Sequence, residues 1–176
     1  MKLTVSSSTL SGSIAVSGSK QMTTYSWSAG TVSNSAVHNI GTTVNASNAI
    51  ETNRMYMEFV MPALPLNPCI KKAELKFFQA SASSEDGSYP KIGLFHVPGD
   101  ISIGQYTPIH DENLIDFAKM KEGSTTTNEA ISYSFDITSM IDMFVNSESD
   151  SRKFVLKLLN ESIAKKNHIT LYGSTN

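Results

Sequence analysis

Side chains able to do chemistry are spread thinly along these 176 residues. The four histidines, His38, His96, His110 and His168, stand among polar loops and strand ends, and none has a second ligand at zinc-site spacing. His110-Asp111-Glu112-Asn113 is the densest run of ligand types. Adjacent residues cannot all turn to one ion without a tight loop, so no metal is assigned there. Glu85-Asp86-Gly87 and Glu148-Ser149-Asp150 carry the hard oxygens calcium takes, but without the alternating carboxylates of a calcium loop they read as solvated turns. Serine is abundant, yet no Gly-x-Ser-x-Gly elbow occurs. A carboxylate pair for glycoside cleavage is defined by its separation in space, and nothing in the chain favours one. The expectation is a protein that is not an enzyme and needs no cofactor.

The aromatic residues offer a different chemistry. Tyr25, Trp27, Tyr89 and Tyr106 lie in polar context. An indole or phenol ring presents a rigid apolar face with a polar edge, which suits the CH face of a sugar. These four are the candidate glycan-binding residues. The competing reading is that Trp27, the one tryptophan, anchors its strand by burial.

The elements that would position such residues centre on Arg54 to Phe78. Met55, Met57, Phe59 and Met61 alternate with Arg54, Tyr56 and Glu58, and Ala73, Leu75 and Phe77 alternate with Glu74, Lys76 and Phe78. A period of two predicts half-buried strands and excludes an amphipathic helix. Pro62, Pro65 and Pro68 between them cannot donate to a ladder, so the connection turns outside the sheet.

Further strands are expected at Ile92–Val97, Tyr133–Ile137, Phe154–Leu159 and His168–Tyr172. Ser81 to Pro90 reads as a loop, and residues 102 to 130 as irregular with one short buried segment at Leu114, Ile115 and Phe117. From Thr138 the spacing of Met140, Ile141 and Phe144 becomes helical, which predicts one short helix near 138–145. Phe59, Leu75, Phe77, Phe135, Leu156 and Leu158 are the expected core. Many short strands with turn signals between them predict an all-β fold, an antiparallel β-sandwich of jelly-roll type.

Residues 1–50 differ in composition, being rich in Ser, Thr, Asn, Ala and Gly with almost no charge. Lys2-Leu3-Thr4-Val5, Ile14-Ala15-Val16 and Tyr25-Ser26-Trp27 read as short strands, followed by a polar, turn-rich tract to Ala49. Chain ends stay mobile unless tied into a sheet or a partner. The organisation expected is an N-terminal strand segment over 1–50, polar and docked, and a sandwich domain over 51–176. Leu3, Val5, Ile14 and Val16 are the candidate assembly-strand residues.

An ordered set of short motifs resembles the DNRLRE domain, a β-sandwich family. Arg54-x-Tyr56-x-x-Phe59, Leu64-Pro65 and Ile70-x-x-Ala73-x-Leu75 are similar to its opening. Asn113-Leu114-Ile115-Asp116-Phe117, Tyr133-x-Phe135-Asp136-Ile137-Thr138, Phe154-x-Leu156-Lys157-Leu158 and Ile169-x-Leu171-Tyr172-Gly173-Ser174 resemble its later segments. The likeness covers roughly residues 50 to 174, with Val60 in place of the usual acidic residue and Phe144 in place of the usual tryptophan. It implies a sandwich fold and, for some members, carbohydrate binding. Separately, Ser11 to Lys20 resembles the opening of enolpyruvylshikimate-phosphate synthases, whose lysine meets a phosphate. That likeness spans about twenty residues of an enzyme that needs more than twice this length, and is incidental.

At 176 residues the chain can bury ~70% of its unfolded surface, so no disulfide or metal is required for a core. A net charge of −2 without a basic stripe gives no support to nucleic-acid or anionic-membrane partners. Cys69 is the single cysteine, in apolar context, and reads as a buried thiol. No run approaches the ~18 apolar residues of a membrane span, and the N-terminus lacks the apolar run of a secretory signal. The function expected first is a non-catalytic structural module of an extracellular or surface assembly (a fibre, spore-surface or virion component) whose partners are copies of itself or neighbouring subunits. The alternative is a carbohydrate-binding module of a secreted or cell-surface protein, with a polysaccharide as partner.

Overall fold

The computed structural model describes residues 2–7, 13–16, 22–28, 31–33, 37–60, 70–97, 109–123, 131–140 and 151–172, with side chains within 37–57, 72–97, 109–123, 131–140 and 153–172. The strands are β1 (Lys2–Ser7), β2 (Ser13–Val16), β3 (Met22–Ser28), β4 (Thr31–Ser33), β5 (Val37–Val44), β6 (Ile50–Val60), β7 (Ile70–Ser84), β8 (Lys91–His96), β9 (Leu114–Lys119), β10 (Ser132–Asp136), β11 (Ser151–Leu158) and β12 (Asn167–Tyr172). Every pairing among them is antiparallel. The all-β, antiparallel class is the one that the two-residue periodicity predicts.

The last eight strands wind as a jelly roll. The first of them pairs with the last (β5–β12), the second with the seventh (β6–β11), the third with the sixth (β7–β10) and the fourth with the fifth (β8–β9). This gives the runs β5-β12-β7-β10 and β6-β11-β8-β9, joined along one side by the β5–β6 hairpin. Along the other side β9 and β10 meet without a ladder, and the Asp116 carboxylate accepts the Asp136 backbone N–H at 2.9 Å instead.

Two strands outrun their neighbours in this winding. β7 carries β10 along one edge; on the other, β12 covers Gln79 to Ser84 and β1 takes over from Lys76 to Ile70. β6 carries β11 on one edge; on the other, β5 covers Ile50 to Asn53 and β3 continues from Asn53 to Phe59. Each N-terminal hairpin, β1–β2 and β3–β4, thus supplies hydrogen-bond partners where a strand of the roll has ended.

Between the two runs lies the main core. Met55, Leu75, Phe77, Phe135, Leu156 and Ile169 are among its fully buried members. Five of the six expected core residues are there; Phe59 falls outside the described side chains, as does Cys69. The Phe77 and Phe135 rings meet edge to face at 5.8 Å, from strands paired across β7–β10.

Four features differ from the sequence reading. The polar tract before Ala49 contains β5, whose inward residues His38, Ile40 and Thr42 are fully buried. Polar side chains enter the core there because they are bonded: Thr42 Oγ1 accepts the Asn167 N–H at 3.0 Å and donates to the Lys165 carbonyl. Gly41, at φ +114°, permits this approach, since a Cβ would lie 2.2 Å from the Asn167 carbonyl oxygen. β7 runs on to Ser84, into the stretch that reads as loop, because β12 pairs with its small polar residues. β9 is a six-residue strand on whose surface Phe117 is 49% exposed, with the Lys91 ammonium 4.6 Å from its ring centroid. A 3-10 turn forms at Asp111–Asn113. Of the predicted helix, residues 138–140 are helical and 141–145 fall outside the described residues.

Two expectations follow. Phe135→Ala should cost ~3–5 kcal/mol in urea unfolding, whereas Phe117→Ala should stay within ~0.5 kcal/mol; equal effects would mean that the inward face is misassigned. His168, half-buried on β12, has its pKa lowered by burial and by Lys166. Its unfolded form binds a proton at a pH where the folded form does not, so stability is full above the ordinary value of 6.5 and declines as pH falls below it. His168→Gln should flatten that decline relative to wild type, and an unchanged pH profile would assign the loss to other groups.

Candidate functional site

The outer face of β6, β11 and β8 holds charges that the alternation places in solvent and the fold places inside. Met55 and Met57 face the core, so Arg54 and Tyr56 lie on the opposite face. A second apolar cluster covers them: Tyr56, Phe95, Val97 and Val155, with Ile109, Leu114 and Leu159 packed on it. Gly93 lets that cover close, since a Cβ there would meet Leu159 and Phe95 at 2.6 Å. β6 is consequently buried on both faces from Asn53 to Met57 rather than half-buried.

Arg54, 1% exposed, meets the Glu161 carboxylate through two parallel bonds, Nε–Oε1 at 2.7 Å and Nη2–Oε2 at 2.6 Å. Its Nη1 also donates to the Tyr56 hydroxyl at 3.4 Å. Burial works against the guanidinium charge, but the bonds to Glu161 and Tyr56 outweigh it and raise the pKa, so Arg54 stays charged. Lys157, also buried, places Nζ 4.0 Å from the same carboxylate, 3.3 Å from the Leu158 carbonyl and 4.4 Å from the centre of the Phe95 ring. Two buried cations therefore share one carboxylate. Among the described residues these charged groups are satisfied by one another and by the aromatic surface that covers them.

Register sets Tyr25 opposite Tyr56 and Trp27 opposite Arg54 on the β3–β6 ladder. Two of the four candidate aromatics are thereby on β3, the strand paired with the one that carries Arg54, although their side chains lie outside the described residues. Tyr106 lies outside them altogether. Tyr89 is elsewhere: it sits at φ +41° in the β7–β8 connection with its ring packed, partly buried, against the main core. Left-handed backbone is costly for a bulky residue, and that core contact is what the structure shows in return.

Among the described residues no group of three His, Cys, Asp or Glu could hold a metal ion. Asp111 and Glu112 are exposed in their 3-10 turn. Asp86 is used locally: it accepts the Ser88 N–H and pairs with Lys165 at 3.1 Å, which hold its carboxyl well below the usual range.

Arg54 and Lys157 were legible as charged residues flanked by apolar ones, Met55-Tyr56-Met57 and Val155-Leu156 with Leu158. Glu161, 107 positions from Arg54 and in a polar loop, carries no signal of its own. Comparison with protein-family models finds none that matches the chain. Comparison with curated proteins likewise finds no match.

Removing Glu161 leaves two cations buried against apolar surface. Glu161→Ala should therefore cost ~3 kcal/mol or more, while the double variant Arg54→Met, Glu161→Leu should recover much of that loss. A Glu161→Ala cost below ~1 kcal/mol would show that the pair behaves as a surface ion pair.

Proposed function

We propose that this chain is a non-catalytic structural module of an extracellular or surface assembly, such as a fibre, spore-surface or virion component, which joins neighbours through its N-terminal strands. The observation that carries this reading is the β1–β7 ladder. Among the described residues the β1–β2 hairpin joins the roll through that set of pairs, Lys2 opposite Lys76 through Ser7 opposite Ile70. The same register can form within one chain or on the β7 edge of a neighbour, which is the geometry of strand exchange. Leu3 and Val5 lie on the exchanged strand, with Ile14 and Val16 on its hairpin mate.

A second reading is a carbohydrate-binding module. It is favoured by the resemblance to the DNRLRE domain and by the register that sets Tyr25 and Trp27 beside the Tyr56–Arg54 segment. In that reading the candidate aromatics Tyr25, Trp27, Tyr89 and Tyr106 supply the apolar ring faces of a sugar subsite.

Deleting residues 1–22 separates these. Under the assembly reading the shortened chain should remain folded by near-ultraviolet circular dichroism and should lack the higher-order species that light scattering is expected to show for the full chain. If particles persist, assembly lies elsewhere. Under the glycan reading Trp27→Ala abolishes retention on immobilised polysaccharide with the thermal midpoint unchanged; wild type that binds no glycan on an array would remove that reading.

A further inference from the structure

We infer that the free edge of β2 is a second self-association surface, and that two copies of this chain pair there, β2 against β2, antiparallel about a twofold axis. This rests on the assembly reading but names a different contact from the β1–β7 ladder.

A strand whose outer edge is unpaired offers a row of backbone donors and acceptors to any other strand. The ladder path through the molecule ends at β2 on one side and at β9 on the other. β9 is guarded: it carries Asp116 and Lys119, and it lies beside β10, whose Asp136 N–H it engages. β2, Ser13-Ile14-Ala15-Val16, lacks the charged residues and proline with which a sequence blunts an edge. It pairs only with β1 among the described residues. From Leu3 to Ile50, Lys20 is the single charged residue of the Asp, Glu, Lys and Arg types, and there is no proline.

The occupant follows from the same chemistry. An uncharged edge has no sign with which to select a foreign partner. Its own copy is always complementary, because an antiparallel strand pair places residue i opposite j and j opposite i, as a twofold interface requires. Pairing β2 with a second β2 extends the run β7-β1-β2 into β2-β1-β7 of the other copy with antiparallel alternation preserved throughout. β4 is the other uncharged edge strand, but three residues, Thr31–Ser33, give it less ladder to offer.

The test uses charge at the twofold. In any antiparallel register that keeps β2 paired with itself, the two copies of residue 15 stand opposite or diagonal to one another. Like charges there repel, and opposite charges attract. Full-length Ala15→Lys and Ala15→Glu should each sediment as monomer where wild type is dimeric or larger. A one-to-one mixture of the two should recover the dimer. Ile14→Lys and Ile14→Glu, at the neighbouring position that also meets its own copy, repeat the experiment should residue 15 variants fail to fold. Single variants that associate like wild type would overturn the β2 interface, and so would a mixture that stays monomeric, since the loss would then be structural. If such variants still associate while deletion of residues 1–22 abolishes particles, the assembly reading stands without this contact. Wild type that is monomeric throughout would overturn both.

Discussion

The backbone demand of two long strands organises the molecule. β7 has fifteen residues and β6 eleven, longer than the jelly-roll neighbours on their shared side. The backbone N–H and C=O groups of both strands continue past the points where β12 and β5 stop, and there each takes another strand or water as its partner. The N-terminal hairpins meet that demand, β1 taking over from β12 along β7 and β3 from β5 along β6. A stretch that composition assigns to a polar segment is therefore structural. Its small apolar content is sufficient because it contributes ladder bonds to strands already stabilised by the core.

The same arrangement explains why charge is buried on one face. The outer face of β6–β11–β8 is covered by Ile109, Leu114 and Leu159, so the alternation that would place Arg54 and Lys157 in water places them under an apolar lid. A charge in that position survives only with a partner, and Glu161, on the connection between β11 and β12, provides it. The pair fixes this connection to β6 more specifically than apolar contact alone, because a bidentate guanidinium accepts a carboxylate in one plane.

How much of this was legible can be argued from particular residues. Leu75, Phe77, Phe135 and Leu156 announce themselves by strict alternation, and all are fully buried. β5 does not, because its inward positions are His38, Ile40 and Thr42, and a glycine interrupts it; the bonds of Thr42 to residues more than a hundred positions away make it a core strand. Arg54 sits in a readable pattern, but its burial depends on a cover drawn from three distant segments. Pairing of β1 with β7 is equally non-local: alternation in Leu3-Thr4-Val5 identifies a strand without saying whose edge it joins. Propensity and period are local, whereas register is decided by which edges remain open once the roll has wound.

Strand direction carries that last point further. At one end of the roll two strands, β12 and β5, lie between β7 and β6; at the other, the hairpin strands β1 and β2 follow β7 while β3 and β4 follow β6. Two and four are both even, so either set keeps β7 and β6 antiparallel with alternation unbroken. Four strands nevertheless need about 10 Å more width than two at a spacing near 4.8 Å. The distance between β7 and β6 is already set by β12 and β5 at the far end, so the hairpins cannot all lie flat between them. Among the described residues β2 and β4 share no ladder, consistent with two hairpins that diverge. A single incoming strand between them would run parallel to one, breaking the alternation, whereas an antiparallel partner at either edge would not. Among the described residues the winding of the roll thus ends its ladders at β2 and β4 here, and it also sets the direction in which a further strand could extend them.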